Sequence, residues 1–275
     1  MRAVFFRFGG LLALGLAAAC TSRPEAPAGS PVAEATAAPA APPAATAPVA
    51  AAPDCRQPFG LCDGTELTYR LTNEKNKLEG VQVLKVARIS QHAAEKKSPA
   101  YAEALLKSSL YDASNRLLRN DEFVYLCRND TVLTDGRLLL DPALLSSFRD
   151  RRFAYEPQHL PWPNQPVAGP LPGGRLIVQV SSPSTDIARV VTTVSQRQVS
   201  GPVATTTPAG TFQCYKVEAR YEYATELRPD LTRRTVKRVT DYYAPGTGLV
   251  RTEMRDADGE LDRVAELVKL AAGSR

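Results

Sequence analysis

Apolar and polar residues alternate with a period of two along much of the chain after residue 62. Leu67, Tyr69 and Leu71 share one face, while Glu66, Thr68 and Arg70 share the other. Between residues 212 and 226, Tyr215, Val217, Ala219, Tyr221 and Tyr223 alternate with Lys216, Glu218, Arg220 and Glu222. This is the period of an antiparallel strand with one face on a core and one on water. The same reading predicts strands near 80–90, 121–127, 174–182, 187–199, 232–243 and 248–255. A turn signature punctuates them: "NEKNKL" (73–78), "DASNRL" (112–117) and "DADGEL" (256–261). Asp or Asn at the first position caps a type I turn, and Asn or Gly at the fourth tolerates the left-handed conformation that closes it, so each copy marks a β-hairpin. The last copy is not a calcium loop, because Leu261 and Leu267 stand where an EF-hand needs Gly and Glu.

Two segments carry conflicting signals. Residues 98–111 open on Ser-Pro, and residues 260–270 space Leu261, Val264, Ala265 and Val268 as a helix would. Hairpin turns abut both, and both are predicted as strands. One short helix is predicted, with Asp141 as N-cap, Pro142 as first residue, and Leu144, Leu145 and Phe148 following. The Pro-rich stretch 156–174 is predicted as a long loop laid over the sheet.

The start of the chain is of another kind. Two arginines precede an uncharged apolar run, Phe8 to Ala19, which is shorter than the roughly 20 residues a membrane-spanning helix needs. This is the pattern of a secretory signal, residues 1–19. Cys20, directly after Ala17-Ala18-Ala19, resembles the lipidated cysteine of a bacterial lipobox, although Leu16 stands one place earlier than usual. The alternative is an ordinary signal in which Cys20 is incidental. With Ser22 and not Asp after it, the resemblance implies the outer membrane. Residues 20–54 are then a lipidated cysteine and an Ala/Pro-rich linker. Recurrent Pro and the lack of large apolar side chains predict a disordered tether, which at about 3.1 Å per residue could extend on the order of 100 Å. Residues 55–275 make the β domain.

"TTPAGTFQCYKVEARYE" (206–222), "DYYAPGTGLVRTE" (241–253) and "YLCRNDTVLTDGRLLLDPALLSSF" (125–148) resemble the matching segments of the TapB-like lipoproteins, a β-rich family of bacterial cell-envelope proteins. The resemblance covers most of residues 62–270. It implies a mainly β fold built on one large curved antiparallel sheet, half-barrel-like, and an envelope address. It supplies no reaction.

Charge narrows the partners. Lys and Arg number 34 against 29 acids, a net charge of +5, and removal of Arg2 and Arg7 with the signal leaves the mature chain only mildly basic. The acids are interspersed with the bases and no nucleic-acid motif accompanies them, so "RPDLTRRTVKR" (228–238) reads as a solvated strand face. With Cys20 carrying lipid, Cys55, Cys62, Cys127 and Cys214 form an even set in an exported protein, which predicts disulfides. Spacing favours Cys55–Cys62, and Cys127–Cys214 follows by elimination. Cys214, however, shares parity with Lys216 and Glu218, so the second bridge requires a bulge, a strand edge or a second covered face. Without a C-x-x-C pair, zinc is not expected.

No catalytic motif is present, and no cofactor is expected. His92 and His159 lie in polar and Pro-rich surroundings outside any metal-ligand spacing, and no Ser or Thr has an identifiable base. Trp162, Tyr215, Tyr221 and Tyr223 are the candidate ligand-facing aromatics, with core packing as their alternative role. Trp162, between Pro161 and Pro163, is cast as a lid. The resulting expectation is a non-enzymatic, membrane-anchored lipoprotein whose sheet binds an apolar ligand or lipid. The alternative is a protein-interaction or structural module of envelope machinery.

Overall fold

The computed structural model describes residues 55–96, 99–148, 150–228 and 231–273. The expected signal, the expected lipidation at Cys20 and the expected tether fall on residues 1–54, outside the described residues. The strands are β1 (Glu66–Asn73), β2 (Leu78–His92), β3 (Tyr101–Asp112), β4 (Leu117–Arg128), β5 (Thr131–Thr134), β6 (Arg152–Pro157), β7 (Leu160–Pro163), β8 (Gly169–Leu171), β9 (Gly174–Ser181), β10 (Asp186–Thr207), β11 (Gly210–Arg228), β12 (Leu231–Ala244), β13 (Gly248–Arg255) and β14 (Leu261–Ala271). All belong to one antiparallel sheet in the order β6-β9-β10-β11-β12-β13-β14-β1-β2-β3-β4-β5-β7, with β8 added beside β10. The outermost strands, β6 and β7, are separated by only Gln158 and His159. The sheet therefore curls until its two ends meet in one stretch of chain, a half-barrel in form.

Both ambiguous segments are strands, β3 and β14. The three repeated turns share one geometry. Asn73, Asp112 and Asp256 each accept backbone N–H bonds from the residues two and four places on, at 2.9–3.1 Å. Asn76, Asn115 and Gly259 close the turns with φ of 57°, 60° and 93°. Because successive strands alternate in direction, all three hairpins fall at one end of the sheet. The chain enters the domain at the opposite end.

Two expectations are corrected. The helix after Asp141 is a 3-10 helix, Pro142–Phe148, preceded by another at Gly136–Leu139. Asp141 does cap it, accepting from Ala143 N at 3.0 Å, but one compact segment of seven residues makes i→i+3 turns and no α-helix. The Pro-rich stretch 156–174 is not a surface loop. It supplies the end of β6, β7, β8 and the start of β9, and Trp162 within it is 2% exposed. Proline fits here because β6, β7 and β8 are short outer strands that leave many backbone donors without ladder partners.

The cysteine pairing is also corrected. Cys55 is bonded to Cys127, with Cα atoms 5.0 Å apart, and Cys62 and Cys214 are thiols. The entering segment lies across the end of β3 and β4, where Phe59 meets Tyr125 edge-on at 5.8 Å. That contact carries Cys55 onto Cys127, two residues further along the same face of β4. Cys62 sits in the following turn, its N–H donating to Thr65 Oγ1 at 3.1 Å. The parity difficulty at Cys214 has a structural answer. Beside Cys214 the pairing of β10 with β11 slips between Ser200 and Val203, with the extra residue in β10, and the buried positions of β11 run Phe212, Cys214 and then Val217, Ala219, Tyr221. Cys214 thus shares a buried cluster with Cys127 without being bonded to it, and burial pushes its thiol pKa up.

Candidate functional site

The inward faces of β1 to β4, β13 and β14 enclose a chamber of about 360 Å³. Its wall follows the alternation seen in the sequence: Leu67, Tyr69 and Leu71 from β1, Gly80, Gln82 and Leu84 from β2. The base is closed. Phe59, Leu61, Leu67, Phe123 and Tyr125 are all buried there, and Phe59 packs on Gly248, where φ is 94° and a Cβ would lie 3.3 Å from the ring. The rim is open. It lies at the hairpin end, where Leu118 is 53% exposed and Leu71, Leu110 and Tyr111 are half-buried. A second chamber of about 200 Å³ lies beside the first. Leu138, Leu140 and Asp141 line both, as do Leu249 and Thr252 of β13, so the 3-10 segment after β5 runs along their common border. Its course depends on Gly136, which has no room for a side chain against the carbonyl of Gln158.

The four sequence-nominated aromatics divide. Trp162, Tyr221 and Tyr223 line the smaller chamber. Tyr215 lines neither and packs half-buried with its ring 6.0 Å from Tyr243. Trp162 is a fixed wall and not a lid. Its Nε1 donates to Thr134 Oγ1 at 3.0 Å, its ring meets Tyr243 edge-on at 5.0 Å, and the Arg197 guanidinium covers it at 4.6 Å. The reason is β7: pairing with β5 places Trp162 opposite Val132, inside the sheet. The larger chamber escaped the sequence reading. Its signal was Gly80, Gln82 and Leu84 at alternate positions, but parity alone does not say which face turns inward.

A buried polar cluster borders the smaller chamber. Asp241 is 5% exposed, accepts from Thr252 Oγ1 at 2.6 Å, and has its pKa pushed up to about 6 by desolvation, partly offset by the Thr252 bond and Arg197. Arg197 donates through Nη1 to the carbonyls of Pro161 and Pro172, at 3.0 and 2.9 Å, and burial lowers its pKa. A carboxyl whose folded pKa lies above its unfolded value favours folding below the unfolded pKa, and that contribution is lost as pH rises through the folded pKa. The domain is therefore expected to lose on the order of 2–3 kcal/mol between about pH 4 and pH 7 through Asp241. Asp241→Asn keeps an acceptor for Thr252 and should flatten that slope. Urea midpoints measured across this range decide it, and equal slopes in both proteins would reject the assignment.

His159 is exposed, whereas His92 stacks on Tyr101 at 4.3 Å and is half-buried. Among the described residues no group of three or more His, Cys, Asp or Glu is placed to hold a metal ion.

No curated protein matches the chain. A protein of Bacteroides fragilis, described as exported and of YmcC-like fold, is 20% identical, with 79% of this chain and 100% of that one covered and a TM-score of 0.59. A protein of Parabacteroides distasonis described as a lipoprotein is 21% identical over the same shares, with a TM-score of 0.64. At these identities the likeness is one of fold. The DUF3108-like family model matches residues 62–267, which is nearly the whole curled sheet, and the chain belongs to that family.

Proposed function

We propose that this protein is a lipid-anchored component of the cell envelope, with no reaction of its own, that holds an apolar ligand in the larger chamber. One observation carries the reading: an apolar-walled space of about 360 Å³, closed at its base and open at its rim. That volume lies within the roughly 300–1,000 Å³ of small-molecule sites. The anchor rests on the signal and Cys20 in the sequence, on the TapB-like resemblance, and on the description of the Parabacteroides distasonis neighbour as a lipoprotein. Placement at the outer membrane rests on Ser22.

The test is saturable binding of an uncharged hydrophobic dye and its loss on filling the chamber. Ala265 is half-buried on the chamber wall, so Ala265→Phe adds a ring there and removes no contact. Dye affinity is expected to fall about tenfold, by overpacking of the site, with folding retained. Absence of saturable binding in the unaltered protein, or equal binding in the folded variant, would overturn the reading.

A second reading, an interaction module, is favoured by a different observation. Residues 203–207 of β10 pair with β11 on one side, and among the described residues no strand is paired to their other edge. An open edge of that kind accepts an added strand.

A further inference from the structure

The charges around the larger chamber bear on what it accepts. Six charged side chains line it: Arg119, Arg137 and Arg263, and Glu79, Asp121 and Asp141. None of the arginines is a free cation. Arg119 is bonded to Asp121. Arg263 meets Glu79 at 3.0 Å and Asp141 at 3.9 Å. Arg137 meets Asp135 at 2.6 Å and also donates to the carbonyl of Glu122 at 2.6 Å. An anionic head would have to displace a carboxylate already in place, and a cationic head would have to displace an arginine. Either exchange strips a partner from a half-buried ion, which is costlier than adding a hydrogen bond to an intact pair.

Volume sets the other limit. The chamber of about 360 Å³ has room for on the order of a dozen water-sized groups, and a methylene is about that size. This suits one chain of about a dozen carbons. Leu138 and Leu140 stand on its border with the smaller chamber, whose roughly 200 Å³ holds only about half as many such groups, too few for a second chain of that length.

We infer that the larger chamber takes a single-chain amphiphile whose head carries no net charge, the chain lying along the inward faces of β1 to β4 and the head at the hairpin rim among the paired charges. This rests on the proposed ligand-holding function. The head can be of two kinds with this chemistry, a hydroxyl-bearing glyceryl ester or a zwitterion.

The experiment displaces a bound uncharged dye from the purified 55–275 β domain or the full chain, with dodecyl-chain compounds kept below their micellar concentrations. Dodecanoylglycerol and dodecylphosphocholine represent the two kinds of neutral head, dodecanoate the anion, dodecyltrimethylammonium the cation, and didodecanoyl phosphatidylcholine the two-chain case. At least one neutral single-chain compound is expected to displace the dye at about tenfold lower concentration than either ion or the two-chain lipid; which one does so identifies the head. In Glu79→Gln, Arg263 loses its nearer acid, and the ratio of dodecanoate to dodecanoylglycerol affinity should rise about tenfold. Dodecanoate or the ammonium compound matching the neutral heads overturns the inference while leaving the ligand-holding function intact. So does equal displacement by the two-chain lipid. A dye that never binds saturably overturns the function itself, and the inference with it.

Discussion

Replacing Trp162 with Ala is expected to destabilise the domain by about 3–5 kcal/mol, the range for a large aromatic removed from a packed interior. The indole is 2% exposed, meets Tyr243 edge-on, and carries the Arg197 guanidinium on its face. Its removal takes away the cation–π partner of a buried Arg197 and the N–H bond to Thr134 at 3.0 Å, so the loss is more than one of area. Trp162→Phe keeps most of the packing and is expected to cost less. Because this is the only tryptophan, unfolding should be followed by far-ultraviolet circular dichroism and not by fluorescence. A cost under about 1 kcal/mol for the Ala variant would restore Trp162 to the role of an exposed lid, since substitutions at unburied positions rarely exceed that.

The second large effect is at the disulfide. Cys55 and Cys127 are 72 residues apart, and closing a loop of that length removes about 4 kcal/mol of chain entropy from the unfolded state in the entropic model. Cys55→Ser is expected to lower stability by about that amount, and by about 10 °C in melting temperature for a domain of this size. It should also loosen Phe59, which closes the base of the larger chamber. Cys62→Ser is expected to change stability by no more than about 0.5 kcal/mol, as for a half-exposed residue outside the core. The contrast between the two variants separates the observed pairing from the one that spacing suggested. If Cys62→Ser costs as much as Cys55→Ser, the short Cys55–Cys62 loop is the true bridge. Non-reducing peptide maps provide the direct answer.

The errors in the sequence reading have a common origin. Asn73, Asp112 and Asp256 act on backbone N–H groups two and four residues away, so their turns are legible without knowing the rest of the chain. Strand alternation is legible for the same reason, since successive side chains of a strand point to opposite faces. Cys55 is different. Its choice of Cys127 over Cys62 depends on Phe59 finding Tyr125, a contact made only after β4 is in the sheet. Cys214 follows the same rule: it is buried against the core although it shares parity with Lys216, beside an irregular stretch of the facing strand β10, and nothing in the flanking residues of β11 announces it.

The candidate site was legible to a smaller degree. Trp162, Tyr221 and Tyr223 do line a cavity, but they line the smaller one. The larger chamber is made by six strands drawn from both ends of the chain, and by a base supplied by the entering segment. Its volume is a difference between the curvature of the sheet and the side chains that fill it. That difference belongs to no local stretch of sequence.

What the sequence determined by itself is therefore the material of the fold: a mainly β domain, the positions of its longer strands, and three hairpins closed by side chains within their own turns. These follow from interactions between residues a few places apart. The tertiary structure alone decided that Cys55 joins Cys127, that Trp162 is wall and not lid, and that the 3-10 segment runs along the border of two adjoining chambers. Each of these depends on which distant strands lie side by side once the sheet has curled, and that is set by the packing of the whole inner face.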